Sequence, residues 1–281
     1  MNWKKLQNGS DIRGVALEGI EGEHVNLTPE VIEIIAKSFV RWIRNTIGCQ
    51  TPKIAIGTDS RLSGATIKNA FIKGAVEAGA DIMDCSLAST PAMFMTTVND
   101  DVQATASVMV TASHLPYNRN GLKFFTPKGG LDSRDIADIL DIAERGDYAY
   151  DGAAGNSATL DFMTIYSRHI ADYICQGVHA DDYEHPLKGM HIVVDAGNGG
   201  GGFFERILSQ LGADTQGSQF LDPDGRFPNH IPNPENAEAM ASVCRAVADS
   251  DADLGVIFDT DVDRAACVDS DGREINRNTR C

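Results

Sequence analysis

Apolar positions along the chain fall into short strand-like runs separated by stretches of helical spacing. Lys53–Gly57, Ala80–Cys85 and Ala104–Val110 are apolar runs rich in β-branched or small residues, the pattern of buried strands. Helical spacing fills the gaps over Ala65–Ala78 and from Pro91 to about Asn99. Upstream, Thr28 precedes Pro29, and Val31, Ile34, Ile35, Ser38, Phe39, Trp42 and Ile43 recur at intervals of three and four. This spacing predicts a capped, core-facing amphipathic helix with proline at its first position. Alternation of strand and helix implies parallel pairing with right-handed crossovers.

Between Gly146 and Ala158 the composition shifts to Asp, Tyr, Gly, Ala, Asn and Ser without apolar periodicity, the mark of a linker or exposed crossover. The domain boundary is expected there, giving domains at 1–150 and 151–281. A second α/β alternation follows: a helix from about Leu160 to Gln176, a strand at His191–Asp195, helices at Gly202–Leu211 and Asn236–Ser250, and a strand at Asp253–Phe258. Ala265–Val268 and Glu274–Ile275 then flank a Ser270-Asp271-Gly272 turn. The polar run Arg273–Asn278 reads like the approach to another element, so the chain is expected to be truncated.

A formal net charge of −16 over 281 residues speaks against nucleic acid or an anionic membrane as partner, since both are bound through clustered Lys and Arg. It also repels phosphorylated ligands, so a site for one needs its own cations. Arg13, Arg61, His114, Arg119, Lys123 and Arg264 are the candidates. The six cysteines are scattered, with no metal-binding or paired spacing, which points to a reducing, cytoplasmic setting, with an organelle of a photosynthetic cell as the alternative. No stretch reaches the ~18 uninterrupted apolar residues that a membrane span requires.

Ser113 follows the strand-like run Ala106–Val110 and so sits at a strand's carboxyl end, where open α/β sheets place ligands. Pro116 and the Asn120-Gly121 pair predict a constrained turn that fixes its hydroxyl. A loop serine is usually a turn former, but His114 can donate to phosphate oxygens or move a proton. Lys123 can neutralise charge or act as a general base. Asp259, Asp261 and Asp263 follow the apolar run Leu254–Phe258. In an extended chain alternate side chains share a face roughly 6.6–6.8 Å apart, and curvature could bring all three onto one small ion such as Mg²⁺. Arg264 adjoins them. An EF-hand is excluded, because Arg264 and Ser270 occupy the positions of its required Gly and Glu. A phosphatase using the first aspartate as nucleophile survives only weakly, since Asp263 stands where that motif wants Thr or Val. Gly197, Gly199 and Gly202 formally match a dinucleotide fingerprint, but nothing nearby suits hydride transfer and a structural turn is preferred. Asp11/Arg13 and Asp59/Arg61 each pair an acid and an arginine beside glycine. Each reads equally as a functional loop or as one braced by its arginine.

Taken together these motifs resemble the α-D-phosphohexomutases, the phosphoglucomutase and phosphomannomutase superfamily. The resemblance rests on Asp11–Gly14, Gly57–Arg61, Thr90-Pro91, Thr111–Lys123, Asp195–Gly199, Phe227–His230 with Pro232–Glu235, and Asp259–Arg264. It implies an α/β fold of two consecutive α/β/α domains with mixed, mostly parallel sheets, the first carrying the phosphoserine loop and the second the metal loop. It further implies that Ser113 carries phosphate, that Asp259, Asp261 and Asp263 bind Mg²⁺ together with it, and that Arg13, His114, Lys123 and Arg264 line the site. Arg61 joins Arg13 and Arg264 as an expected phosphate contact, and Lys123 is the expected proton acceptor. The family moves phosphate between the 1 and 6 positions of a hexose through a hexose 1,6-bisphosphate. Thr260, Val262 and Leu115 depart from commoner family residues without removing nucleophile or carboxylates. The family has four domains, and its sugar-recognition and distal phosphate loops are absent from this sequence. The expected function is a phosphohexomutase, most simply of phosphoglucomutase type, with hexose phosphates as partners. The alternative is a non-catalytic Mg²⁺- or phosphosugar-binding or regulatory module that associates through surfaces the missing domains would cover.

Overall fold

The computed structural model describes residues 1–275. Within it the chain divides into two compact units, Met1–Phe162 and a second that begins at Met163. The first opens with a 3-10 turn at Trp3–Leu6 and a hairpin of β1 (Gln7–Asn8) and β2 (Asp11–Val15), followed by α1 (Pro29–Thr46). Then come β3 (Lys53–Thr58), α2 (Gly64–Glu77), β4 (Asp81–Leu87), α3 (Thr90–Val98) and β5 (Ala106–Val110). β6 (Arg119–Thr126), β7 (Gly129–Gly130), α4 (Ser133–Arg145) and β8 (Ser157–Thr159) complete it. The second unit contains α5 (Phe162–Val178), whose first residue belongs to the first unit, then β9 (Ile192–Asp195), α6 (Phe203–Gln210), α7 (Ala237–Ser250), β10 (Leu254–Phe258) and β11 (Ala265–Asp269).

The first sheet runs β1-β2-β6-β5-β3-β4-β8, with β7 on β6, among the described residues. Its β5-β3-β4-β8 portion is parallel, as the strand–helix alternation predicts. β2 and β6 are antiparallel additions. They escape the alternation pattern because β6 follows β5 directly through a loop, with no crossover helix between them. Asn120 and Gly121, expected in a turn, lie inside β6. Gly121 is required there by crowding: a Cβ would collide with Ile12 O and lie 2.9 Å from Arg13 Cγ and 3.0 Å from Thr111 O. The glycine signal therefore marks close backbone approach within a sheet.

Strand alternation sorts side chains onto two faces. Ile54, Ile56, Val108, Val110, Leu122 and Phe124 join one core with residues of α1, α2 and α4. On the other face Ser107 Oγ donates to Met93 O of α3 at 2.6 Å, and Phe125 meets Phe94 edge-on. α1 is capped as expected, with Thr28 Oγ1 accepting from Val31 N at 3.4 Å. Its most deeply buried ridge is Ile32, Ile35, Ala36, Phe39, Val40 and Ile43, while Val31 and Ile34 lie at the margin. α4 adds to the predicted helices, with an Asp132/Asp135 capping box and a left-handed Gly146 at its end.

Residues within and just after the composition shift remain packed on the first unit. β8 pairs with β4, Gly155 N donates to Val76 O at 2.9 Å, and Arg44 stacks 4.1 Å over the Tyr150 ring. The compact unit therefore extends to Phe162. In the second unit β9 and β10 are parallel and β11 is antiparallel to β10, and the sheet is covered by separate clusters involving α5/α6 and α7. The protein is thus an α/β protein of two α/β/α domains with mixed sheets. No helix among the described residues is long and apolar enough to cross a membrane.

Phe39 is fully buried between Trp42, Phe71 and Phe124. Phe39→Ala is expected to destabilise the first unit by about 3–5 kcal/mol, the loss typical of a large core aromatic, read as a lower urea midpoint.

Candidate active site

In the first unit, the chain leaves β5 and turns at Ser113, whose φ of +53° is unusual for a residue other than glycine. The turn is held from beneath. Ser113 N donates to Thr111 Oγ1 at 2.8 Å, and Thr111 Oγ1 donates to Asp59 Oδ2 at 2.7 Å. Asp59 Oδ1 accepts from Arg61 N at 2.9 Å. The Arg61 guanidinium donates to Ser113 O, to Leu115 O at 2.6 Å, to Pro116 O at 2.8 Å and to Arg119 O at 3.0 Å.

Arg61, expected among the phosphate contacts, has a side chain with no solvent exposure. Its planar fork instead gathers loop carbonyls while Asp59 supplies the counter-charge, so it acts as the brace. Arg119 is likewise committed to Glu23, with Nε 3.1 Å from Oε2, and Asn118 donates to the same carboxylate at 2.8 Å.

Three expected site residues lie in the Ser113 loop or on nearby strands: His114 in the loop, Arg13 on β2 and Lys123 on β6. Arg13 lies on the face of β2 that also carries Asp11, and β2 registers Asp11 opposite Lys123 and Arg13 opposite Gly121. Lys123 is therefore flanked by Asp11 on one side and Met109 on the other, and it is nearly buried. Arg13 Nη2 pairs with Asp11 Oδ2 at 2.8 Å, while its Nη1 reaches Ala112 O at 3.4 Å. His114 is exposed, and its Nδ1 stands 3.4 Å from Ser113 Oγ. An imidazole thus stands beside the buried Ser113 hydroxyl, and the Arg13 guanidinium reaches the carbonyl of the preceding residue.

In the second unit, the acidic loop leaves β10. Asp259, Asp261 and Asp263 each offer a carboxylate oxygen within 4.8 Å of the others, with Asp259 and Asp261 buried. The fold enforces this crowding. Asp259 N donates to Arg264 O at 3.1 Å, and Asp263 N and Arg264 N both donate to Asp259 Oδ1 at 3.1 Å. Val262, between two of the acids, has φ +63°, an outlier for a β-branched residue, and packs against the α5/α6 cluster. The glycine-rich segment Gly197–Gly202 supports the loop from behind. Gly200 N donates to Thr260 O at 2.8 Å, and a Cβ on Gly199 would lie 2.8 Å from that same oxygen. It forms the structural turn preferred from the sequence.

Burial pushes the Asp259 carboxyl up to about 7, with the Asp261 and Asp263 charges adding to the rise. Arg264 offsets part of that cost, with Nε 3.2 Å from Asp259 Oδ2. Its Nη1 is held by Asn233 Oδ1 at 3.2 Å and faces Glu235 at 3.7 Å. The segment carrying Asn233 is anchored by His230, whose Nε2 lies 3.1 Å from both oxygens of the buried Asp195. Burial opposes the imidazolium, but Asp195 outweighs it, so the His230 pKa is raised. Asn233, Glu235, His230 and Asp195 had no assigned site role from the sequence. Asp195 ends β9 and the others lie in irregular segments without periodicity, so only the motifs Asp195–Gly199, Phe227–His230 and Pro232–Glu235 marked them.

Profiles for "Phosphoglucomutase/phosphomannomutase, alpha/beta/alpha domain I" and for domain II of the same family match residues 4–149 and 166–272. The chain belongs to the phosphoglucomutase/phosphomannomutase family. It is 30% identical over 266 residues to a phosphoglucomutase of Neisseria meningitidis serogroup B, covering 94% of this chain and 53% of that protein. To a phosphomannomutase of Salmonella montevideo it is 32% identical over 280 residues, covering 96% and 57% respectively. A solved structure of a phosphoglucomutase/phosphomannomutase family protein from Burkholderia thailandensis superposes with a TM-score of 0.75 at 26% identity, covering 95% of this chain and 55% of that one. The chain spans about half the length of the curated relatives it matches.

The donor set of the acidic loop fits a hard dication: three carboxylates, two of them buried, are held together against their mutual repulsion. The sign of the pH effect follows. Because the Asp259 pKa rises from 3.8 to about 7 on folding, the folded state binds more protons between those values, and stability falls as pH rises through that window. A bound dication would take over the proton's role. Mg²⁺ is expected to raise the melting temperature more at about pH 8 than at about pH 5, in differential scanning fluorimetry. For His230 the contribution is fully present below its ordinary value of 6.5 and disappears as pH rises through the raised folded value. His230→Gln is expected to remove that part of the pH dependence from urea titrations.

Proposed function

We propose that the protein carries the phosphoserine and Mg²⁺ functions of a hexose-phosphate mutase, with phosphoglucomutase as the simplest form. The observation that carries this reading is the setting of Ser113: a hydroxyl fixed at the end of β5, with His114 Nδ1 3.4 Å away and Arg13 and Lys123 arrayed on the adjoining strands, in a chain of this family.

Ser113 Oγ is assigned as the phosphate carrier. In the proposed cycle the phosphoserine gives its phosphoryl group to the free hydroxyl of a hexose monophosphate, and the P–O bond to Ser113 breaks as the bond to the sugar forms. Lys123 takes the proton of that hydroxyl. The bisphosphate then turns over and returns its other phosphate to Ser113, leaving the isomeric monophosphate. His114 donates to phosphate oxygens next to Ser113, and Arg13 and Arg264 balance phosphate charge. Asp259, Asp261 and Asp263 would hold Mg²⁺, which supplies Lewis-acid polarisation of phosphoryl oxygens when bound. In this reading Arg61 braces the loop and makes no phosphate contact. The partners in this reading are hexose phosphate and hexose 1,6-bisphosphate.

Intact-mass spectrometry after incubation with glucose 1,6-bisphosphate, together with a coupled assay on glucose 1-phosphate, tests the proposal. One phosphate is expected on the wild-type chain and none on Ser113→Ala. Turnover is expected to fall by about three orders of magnitude or more in that variant, as when a covalent nucleophile is removed, and to stop with EDTA. Phosphate acquired equally by Ser113→Ala would end the assignment, and Mg²⁺ binding with no phosphate transfer at all would favour the binding-module reading.

A further inference from the structure

We infer that Thr111, Asp59 and Arg61 form a positioning relay that sets the reactive geometry of Ser113. The inference deepens the mutase reading and rests on it for its kinetic consequence.

Ser113 occupies a backbone region that side-chain-bearing residues rarely adopt. Such a conformation persists only where its surroundings over-determine it. The surroundings here are one continuous chain of hydrogen bonds. The Ser113 amide donates to Thr111 Oγ1, that hydroxyl donates to Asp59 Oδ2, and Asp59 Oδ1 also accepts from the backbone amide of Arg61. On the carbonyl side, the Arg61 guanidinium binds Ser113 O and three further loop carbonyls. Both ends of the Ser113 residue are therefore clamped from one side. Because the peptide bond between Ser113 and His114 is trans, drawing Ser113 O onto Arg61 directs the next amide, that of His114, away from it.

Thr111 is the point at which this relay can be cut without opening a cavity, because valine has nearly the same shape and lacks the hydroxyl. Serine keeps the hydroxyl and loses only the methyl. T111V and T111S are therefore compared with wild type by two measurements. The first is amide hydrogen exchange across residues 111–118. The second is the single-turnover transfer of phosphate from glucose 1,6-bisphosphate to Ser113, analysed for maximal rate and half-saturation separately.

In T111V the Ser113 amide is expected to exchange at least about tenfold faster. Its maximal transfer rate is expected to fall about 10- to 100-fold, as for a misplaced reacting atom, while half-saturation stays within about twofold. T111S is expected to restore both rate and protection. Unchanged exchange in T111V would overturn the inference, as would faster exchange with an unchanged rate, or equal losses in T111V and T111S. If the wild-type chain accepts no phosphate, the mutase reading fails and the exchange result alone decides the relay.

Discussion

A guanidinium buried under a loop is the constraint on which the first unit's reactive segment depends. Taking the Arg61 charge out of water is costly unless it is paired and its donors are satisfied. Asp59 supplies the counter-charge, with Oδ2 3.4 Å from Arg61 Nε, and the two Nη groups donate to the carbonyls of Ser113, Leu115, Pro116 and Arg119. The same contacts give the loop its shape. A segment of this kind has few apolar side chains with which to hold itself, so polar closure replaces packing, and geometry is lost if any partner is removed.

The second unit solves an opposite problem. Its acidic loop concentrates like charge where burial makes charge expensive, and the strain is visible in the raised Asp259 carboxyl and the left-handed Val262. Stability is given up there in return for a prearranged set of hard oxygen donors. Support comes from glycines that allow the Gly197–Gly202 backbone to touch Thr260 O, and from Arg264, steadied by Asn233. The salt bridge of His230 with Asp195 ties that steadying segment to the end of β9. Both loops therefore stand at carboxyl ends of parallel strands and are held in different ways.

Much of the fold was legible in the sequence because regular elements advertise themselves through periodicity. The Thr28 cap, the strand of Lys53–Thr58 and the helix ending at Ser250 all follow patterns set by neighbours within a few residues. Antiparallel β2 and β6 were not legible, since pairing between residues about a hundred positions apart leaves no local trace, and Asn120-Gly121 imitates a turn. α4 carried readable caps in Asp132, Asp135 and Gly146 that the apolar-run pattern alone passes over. Among the candidate site residues, Ser113 and the three aspartates stood out by their place after apolar runs, and His114, Lys123 and Arg13 by residue type and motif. The side chains that hold them were not, because Thr111, Asn233 and His230 act through partners chosen by the fold.

By itself, the sequence determined the two α/β alternations, the family motifs and the identity of the chemically able residues, all of which depend on residue type and short spacing. Only the tertiary structure decided what Arg61 does. Arginine's donors serve phosphate and carbonyl alike, and the choice between them is made by which surface the surrounding strands leave open. Here they leave none: β3 ends beneath the Ser113 loop, the side chain is enclosed, and the nearest acceptors are the loop's own carbonyl oxygens.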